Sequence, residues 1–282
     1  YEYKDIAILY RSSAVLRSFE LAMIQNDLPY RVFGGISYLR RKEIKDMIAY
    51  LRLIIFNDDI QSFKRIVNEP GRGIGDKTVE KVLEYRETNK VDIFTAIDNA
   101  KDYLRSKANV LMEFKDLILD LKAMMEDTDL VTIYESLLEK TDYIALLDDD
   151  ETKIEREENL MEFKSILFSI ENSGEVASRT DKLIAAFDEA ILSNDKLQNK
   201  KQRDDGITLS TVHSVKGLEF GIVFIVAFED GIFPNLNRID ETSTLEEERR
   251  IAYVAATRAK RKLYLTCAAR RLLYGHYTRN MQ

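Results

Sequence analysis

The sequence contains little cysteine and little proline. Of its 282 residues, one is cysteine (Cys267), three are proline and eleven are glycine. A single cysteine excludes a fold stabilised by disulfide bonds and a cysteine-rich metal site, and it favours a reducing, cytoplasmic setting. Because proline and glycine are the residues that most often interrupt helices, their scarcity predicts long helices rather than a turn-rich β protein.

Long apolar runs are also missing. No stretch reaches the roughly 18 apolar residues that a membrane span requires, and the start, Tyr1–Asp5, lacks the pattern of a signal peptide. We therefore expect no membrane partner. Hydrophobic residues nevertheless make up 45% of the chain, which excludes a disordered protein because burial on this scale offsets the entropy lost on ordering.

The net charge of -7 by itself argues against a nucleic-acid partner. The acidic excess, however, is confined to residues 91–205, whereas residues 1–90 and 206–282 each carry a small basic excess. No acidic residue follows Glu248, and nine lysines or arginines do. This asymmetry has two interpretations, a local anion-binding surface or a solvated helix face.

Apolar patterns predict an α/β domain interrupted by a helical insertion. Short β-branched and aromatic runs indicate strands, and they occur only near the two ends of the chain. The predicted strands are 5–10, 207–212, 222–228 and 262–267. The predicted helices include 44–56, 77–85, 104–125, 130–138, 159–170 and 181–192, with another starting near Thr244, and with exposed connectors at 148–158 and 193–205.

A glycine-rich segment, Gly71–Thr78, is the nearest approach to a phosphate-binding P-loop. It fails because Asp76 stands where the last glycine is needed, and because no strand precedes it. The same glycines can instead present backbone N–H groups at a helix N-terminus, which binds a phosphate without reading bases. Arg72 and Lys77 would add charge there. The alternative is a glycine-rich turn with no ligand.

A second segment, Thr208–Phe220, ends a strand with polar side chains before a glycine turn and another strand. We expect these side chains at one edge of the sheet, where ligands bind in α/β proteins. Hydroxyls, a histidine and a lysine suit phosphate contacts, and Glu219 suits a ribose hydroxyl. A single histidine such as His213 is more often structural than functional. The prediction of a ligand site therefore depends on the cluster of polar residues as a whole.

A third segment, Glu246–Lys262, contains an arginine just before a predicted strand. Arg258 could reach a phosphoryl group during its transfer, where the planar guanidinium group stabilises the charge that develops. The alternative is surface pairing with the acidic run Glu246–Glu248. Arg249 and Arg250 lie at helical spacing from that run, whereas Arg258 is too distant to share it.

These segments resemble the UvrD/PcrA/Rep-like DNA helicases of superfamily 1. The string TVHSVKGLEF (211–220) resembles motif V of that family, and EEERRIAYVAATRA (246–259) resembles motif VI. The likeness continues through Ala7–Ser12, Leu28–Val32, Gly34–Gly35, Arg41–Asp46 and Arg72–Gly75. It implies a partial RecA-like parallel-sheet domain, interrupted by a large all-α insertion domain, with domain boundaries at 1–32, 33–203 and 204–282.

The resemblance also implies site residues. For ATP these are Glu219 on the ribose, Arg258 as a catalytic arginine finger, and Lys216 and Gly217 in supporting roles. Single-stranded DNA would meet the residues that end two strands, namely Arg11, Ser12, Thr211, His213 and Ser214. Duplex DNA at a junction would meet the glycine turn, namely Arg72, Gly73, Ile74, Gly75 and Lys77.

The sequence departs from that family by lacking the P-loop and the acidic pair that binds Mg²⁺. We therefore expect a C-terminal portion of an ATP-dependent 3′-to-5′ DNA helicase, with the Mg²⁺ ligands on a missing N-terminal RecA-like domain and no activity for 1–282 alone. Two alternatives remain. One is a DNA- or protein-binding module that hydrolyses no ATP, and the other is an inactive helicase-like subunit of a helicase–nuclease complex.

Overall fold

The computed structural model describes residues 1–12, 15–33, 38–104, 106–145, 147, 153–173, 178–185, 205–235 and 242–279. The chain divides into two compact units. The first, called the sheet unit, comprises Tyr1–Arg41, Glu158–Ser165 and Glu189–Gln282. The second, called the helical unit, comprises Lys42–Glu157 and Ile166–Asp188.

A parallel five-stranded sheet is the centre of the sheet unit. Its order, β2-β3-β1-β4-β5, inserts the first strand between two strands that lie about 200 residues later in the sequence. The α/β fold class predicted from the sequence is confirmed. The strands are β1 (Ile6–Tyr10), β2 (Tyr30–Phe33), β3 (Ile207–Thr211), β4 (Phe220–Ile225) and β5 (Ala259–Leu265).

The two faces of this sheet carry separate hydrophobic cores, because successive side chains of a strand point to opposite faces. From β1, Ile8 and Tyr10 join the core that also contains helix α1 (Leu16–Gln25). Ala7 and Leu9 join the other core, which contains helix α11 (Thr242–Ala256). This burial on both faces explains why the strand is a continuous apolar run.

Three strands were not predicted from the sequence. One is β2, which has only four residues and includes Arg31. The other two form an antiparallel hairpin, β6 (Arg270–Leu273) and β7 (His276–Arg279). Basic residues break the apolar alternation in all three, so the pattern that marks a strand is weak. In addition, β4 and β5 begin two and three residues before their predicted starts.

The helical unit is built from short and medium helices. The helix predicted at 104–125 begins later, at Ala108, because Leu104 is extended and Lys107 adopts a left-handed backbone conformation. The helices are α2 (Lys42–Ile55), α3 (Ile60–Ile66), α4 (Asp76–Asn89), α5 (Ile93–Asp98), α6 (Ala100–Tyr103), α7 (Ala108–Met124), α8 (Leu130–Thr141), parts of α9 (Lys153–Glu171), and α10, whose described residues are 179–185.

Aspartate side chains begin three of these helices. Asp59, Asp92 and Asp129 each accept backbone N–H bonds from the first turn of the helix that follows. Such caps satisfy amides that have no partner within the helix. The short helices α3 and α5 were not predicted, because six or seven residues are too few to establish a helical period.

Buried charge anchors the start of α2 within the helical unit. Asp46 is fully buried, accepts a 2.6 Å hydrogen bond from the Tyr143 hydroxyl, and pairs with Arg65 at 2.7 Å. Burial raises the pKa of Asp46, and these two partners oppose that shift. The contacts join α2 to α3 and to the turn that follows α8.

Several boundaries differ from the predicted ones. Helix α9 begins at Lys153, so the prediction of an exposed connector is wrong for residues 153–158. The sheet unit includes Glu158–Ser165 and residues up to Arg41, whereas the predicted insertion runs from 33 to 203. Those insertion boundaries stay a prediction. Gly34, Gly35 and the segments 148–152, 186–192 and 193–204 lie outside the described residues.

Within the described ranges, no helix combines the length and the apolar character that crossing a bilayer would require.

Within the sheet unit, the β6–β7 hairpin packs against the middle of α9. The Glu162 carboxylate accepts hydrogen bonds from the backbone N–H of Tyr274 and the hydroxyl of Ser165, each at 3.2 Å. Gly275 turns the hairpin with φ +84, and a β-carbon there would lie 3.1 Å from the side chain of Lys164. Burial is the main reason that the pKa of Glu162 rises to about 7.

This raised pKa predicts a pH-dependent stability. Folded Glu162 keeps its proton up to about pH 7, whereas the unfolded chain releases it near the ordinary value of 4.5. Between those two values the folded state therefore binds more protons, and the free energy of unfolding falls as pH rises, by on the order of 3 kcal/mol.

Urea denaturation of Glu162→Gln across this pH window should show a free energy of unfolding that depends less on pH than that of wild type. The exposed Glu155 of the same helix provides the control, Glu155→Gln. Equal slopes in wild type and Glu162→Gln would contradict the assignment.

Candidate nucleotide and nucleic-acid interfaces

The predicted site residues of the sheet unit lie at two opposite edges of the sheet. Glu219 and Arg258 directly precede β4 and β5, so they lie at the amino-terminal edge. Arg11 and Thr211 lie where β1 and β3 end, at the carboxyl-terminal edge. The expectation that all of Thr208–Phe220 lies at one edge is therefore wrong. The segment runs from one edge of the sheet to the other, and these edges are separated by the length of a strand, about 17 Å.

Arg258 is held at the amino-terminal edge by uncharged acceptors. Its Nε donates to the Val254 carbonyl at 3.0 Å, one terminal nitrogen donates to the Leu218 carbonyl at 3.0 Å, and the other to the Thr257 hydroxyl at 3.1 Å. A guanidinium has five N–H donors, so two remain after these three bonds. Because none of these acceptors carries charge, the positive charge of Arg258 is not neutralised by them.

The loop before β4 lies beside this arginine. Lys216, Gly217 and Glu219 are all exposed, and Gly217 has φ +92, a conformation that favours glycine. The Glu219 carboxylate is 3.5 Å from the ammonium of Lys260. The backbone N–H of Phe220 donates to the Arg258 carbonyl at 2.8 Å, which connects this loop to the start of β5.

These residues fit one side of a nucleotide. An exposed carboxylate accepts hydrogen bonds from hydroxyls, and an arginine with unused donors binds phosphate oxygens. Across the described part of the chain, no three His, Cys, Asp or Glu side chains form a group that could hold a metal ion.

Arg11 is engaged by a carboxylate, contrary to its expected position facing DNA phosphates. Its Nε and a terminal nitrogen donate to Glu248 at 2.9 and 2.8 Å, and both side chains are largely buried. The hydroxyl of Ser12 donates to Glu158 at 2.7 Å. Sequence reasoning overlooked Glu248 as a partner, because the neighbouring Glu246 and Glu247 pair with Arg249 and Arg250 on the exposed face, as predicted.

The remaining polar residues of the carboxyl-terminal edge follow β3. The hydroxyls of Thr211 and Ser214 lie 2.9 Å apart, and the His213 carbonyl accepts the backbone N–H of Lys216 at 3.4 Å. His213 is exposed, Thr211 and Ser214 are half-buried, and Val215 next to them is fully buried. Val215 therefore anchors the segment to the sheet while its polar neighbours face outward.

The glycine turn of the helical unit precedes α4. Gly73 has φ +69, and Gly75 is the N-cap of α4 with an ordinary extended backbone. Asn68 shapes the turn, because its side-chain oxygen accepts the backbone N–H of Arg72 at 2.8 Å and of Ile74 at 2.9 Å. Ile74 is buried, whereas Gly73, Gly75 and Lys77 are exposed.

Arg72 does not add its charge to the surface of this turn, as had been expected. One terminal nitrogen donates to the carbonyls of Ile66, Val67 and Pro70 at 3.1 to 3.3 Å, and the other donates to the Tyr50 hydroxyl at 2.8 Å. The guanidinium also lies 5.2 Å from the centre of the Phe114 ring. Arg72 therefore stabilises the turn from its buried side. Beside it is an open cavity of about 410 Å³ lined by Gly71, Phe114 and Lys140 among others.

A parallel sheet covered by helices on both faces, with Glu219 and Arg258 at its amino-terminal edge, agrees with the class of RecA-like domains. The comparison with protein families agrees with this class. Residues 1–270 match the UvrD-like helicase C-terminal domain, and the chain belongs to that family.

Curated relatives extend the comparison. The chain is similar to the ATP-dependent DNA helicase PcrA of Bacillus subtilis (strain 168), with 40% identity over 288 residues, covering 98% of this chain and 38% of the relative. It is 37% identical to PcrA of Staphylococcus aureus (strain Mu50), covering 99% of this chain and 39% of the relative. The chain thus spans about two-fifths of the length of these relatives.

The interior position of Arg72 predicts a loss of stability on its removal. Arg72→Ala removes the side chain that donates to the carbonyls of Val67 and Pro70 and to the Tyr50 hydroxyl, so the free energy of unfolding should fall by about 2 kcal/mol. Lys77→Ala, on the exposed side of the same turn, should change it by less than about 0.5 kcal/mol. Chemical denaturation of both variants measures the difference. An Arg72→Ala midpoint equal to wild type would contradict a structural role.

Proposed function

We propose that this chain is part of an ATP-dependent DNA helicase, in which it forms one wall of the ATP site and part of the DNA track. The observation that carries the proposal is Arg258, whose guanidinium donates to three uncharged acceptors among the described residues and lies next to the loop that carries Glu219. The names of the PcrA relatives support the same activity. The single cysteine favours a cytoplasmic setting.

In the ATP site, Glu219 accepts hydrogen bonds from the ribose, and Arg258 stabilises charge that develops on the phosphates during transfer. Lys216 and Gly217 support the same loop. Bound MgATP supplies the phosphoryl group, with the Mg²⁺ ligands and the P-loop on an N-terminal RecA-like domain. Hydrolysis needs both walls of the cleft, because positioning and charge stabilisation come from each. Residues 1–282 alone therefore turn over no ATP.

An exposed apolar edge of the sheet agrees with the need for further polypeptide. The side chains of Leu263, Tyr264 and Leu265 on β5 are 41%, 43% and 56% exposed. Parallel sheets are ordinarily covered on both faces, and an uncovered apolar edge strand is a template for pairing. A strand or helix from elsewhere in a longer protein would cover it.

Single-stranded DNA contacts the carboxyl-terminal edge through Thr211, His213 and Ser214. Arg11 and Ser12, on the adjacent strand end, support this edge through their bonds to Glu248 and Glu158. The segment 211–219 then joins the DNA track to the ATP site, since it connects the two edges of the sheet. The Arg11–Glu248 pair adds a second connection, because Glu248 belongs to the helix that leads to Arg258. We propose 3′-to-5′ translocation, following the family.

Duplex DNA contacts the turn Gly73–Gly75 through the backbone N–H groups of its two exposed glycines, with Lys77 adding charge. This mode requires no base recognition, because the N-terminus of a helix binds phosphate through amides and the helix dipole. Arg72 has no direct part in it and instead maintains the turn.

Replacement of Arg258 tests the ATP site. In the intact helicase, Arg258→Ala should lower the kcat of DNA-stimulated ATP hydrolysis by about a thousandfold or more, since an arginine finger acts mainly in the transition state. The KM for ATP should stay within about threefold. Arg249→Ala, which removes an exposed arginine paired with Glu246, is the matched control. A kcat of Arg258→Ala within threefold of wild type would reject the assignment, and no turnover by the wild-type protein would favour a non-hydrolysing module.

Replacement of Gly75 tests the duplex contact without disturbing the fold. A β-carbon at Gly75 meets no atom within 4 Å, and an Asp at an N-cap stabilises a helix slightly relative to Gly. Gly75→Asp should therefore leave the melting temperature unchanged or higher. It should weaken binding to a duplex with a 3′ tail by at least tenfold at low salt, because its carboxylate repels phosphate. Gly75→Asn caps the helix without charge and should weaken binding much less. Equal affinities of wild type and Gly75→Asp would contradict the contact.

A further inference from the structure

Lys107 lies against the glycine turn of the helical unit although it is 34 residues away in sequence. Its ammonium nitrogen is 2.7 Å, and its Cε 3.6 Å, from the point that a β-carbon would occupy at Gly73. The missing side chain of Gly73 therefore provides the space that the ammonium occupies. Any larger residue at position 73 would displace this group as well as strain the backbone at φ +69.

The backbone of Lys107 positions the ammonium at the surface. Lys107 is the N-cap of α7 and adopts a left-handed conformation with φ 71, which residues other than glycine rarely adopt. The residue is exposed. Within the described ranges, no carboxylate is recorded as an ion-pair partner of Lys107, in contrast to Lys115 on the same helix, which pairs with Asp98.

Positive charge accumulates around this turn. Lys77 lies in the first turn of α4, where the helix dipole disfavours a cation. Lys107 adds a second ammonium group at Gly73, and Gly75 has no side chain with which to cap the amides of α4. Asp76 is the acidic residue of that first turn, and it is exposed with no recorded ion pair to Lys107. An anion bound at the turn would accept hydrogen bonds from these uncapped amides and from the ammonium group of Lys107.

We propose that Lys107 contacts a backbone phosphate of duplex DNA at the Gly73–Gly75 turn and replaces the charge that Arg72 directs inward. The inference rests on the proposed duplex contact and adds to it a residue from a different helix. Lysine suits this role because its compact ammonium reaches a phosphate without needing a fixed orientation. The turn then holds the phosphate between backbone N–H groups on one side and Lys107 on the other.

The salt dependence of duplex binding by residues 1–282 tests this proposal. Fluorescence anisotropy with a labelled hairpin duplex carrying a 3′ tail gives the slope of log affinity against log salt. Each phosphate contact contributes about 0.9 to that slope. Lys107→Ala should therefore lower the slope by about 1 and the affinity by about eightfold near 0.1 M salt. Lys107→Arg should restore both.

Lys90 provides a matched control. It is also exposed and left-handed, with φ 52, but it follows the opposite end of α4. That end lies about 20 Å from the turn, because a helix rises 1.5 Å per residue. Lys90→Ala removes the same charge from the same backbone conformation, so its slope should equal that of wild type. The melting temperatures of Lys107→Ala and Lys90→Ala should agree, which separates binding from folding.

Three outcomes are distinguishable. A lower slope for Lys107→Ala alone supports the proposal. Equal slopes for Lys107→Ala and Lys90→Ala, while Gly75→Asp still weakens binding, would overturn the role of Lys107 and leave the duplex contact intact. No salt-dependent binding by the wild-type chain would overturn both the duplex contact and the role of Lys107.

Discussion

Parallel pairing of β1 between β3 and β4 is the constraint on which the sheet unit depends. Leu9 lies opposite Ser210 on one side and Ile225 on the other, so residues from both ends of the chain share one sheet. A slip of one residue would exchange the two cores, since alternate side chains of β1 face different ones. This register also sets which polar residues follow the strand ends and therefore meet at one edge.

Two connections then join the edges of the sheet. One is the segment 211–219, which leaves the end of β3 and reaches the start of β4 over the core that contains Val215. The other is the pair between Arg11 and Glu248, which ties the end of β1 to the first half of α11. Because Arg258 follows α11 directly, movement at one edge can reach the arginine at the other. This arrangement suits the proposed coupling of ATP hydrolysis to DNA movement.

Local patterns determined much of the fold. Continuous apolar runs identified β1, β3, β4 and β5, and helical periodicity identified most of the long helices of the insertion. Elements shorter than about two turns, such as α3 and α5, carry too few residues to show a period. The β6–β7 hairpin was missed because basic residues break its apolar alternation, and also because part of its support is distant in sequence. Its stability depends on contacts with α9, in particular through Glu162 and Ser165, and such distant contacts leave no local pattern.

The sequence by itself determined the class of protein, because the motifs around Glu219 and Arg258 are contiguous and their spacing is visible in the chain. It also indicated the turn that we propose binds phosphate, since Gly73 and Gly75 precede a helix start. Only the tertiary structure decided where the charges point. Arg72 and Arg11 bond groups that lie nearby in space, whereas Lys107 reaches the turn from another helix. A long cationic side chain takes whichever acceptor the fold brings within reach, and that choice depends on packing between distant segments.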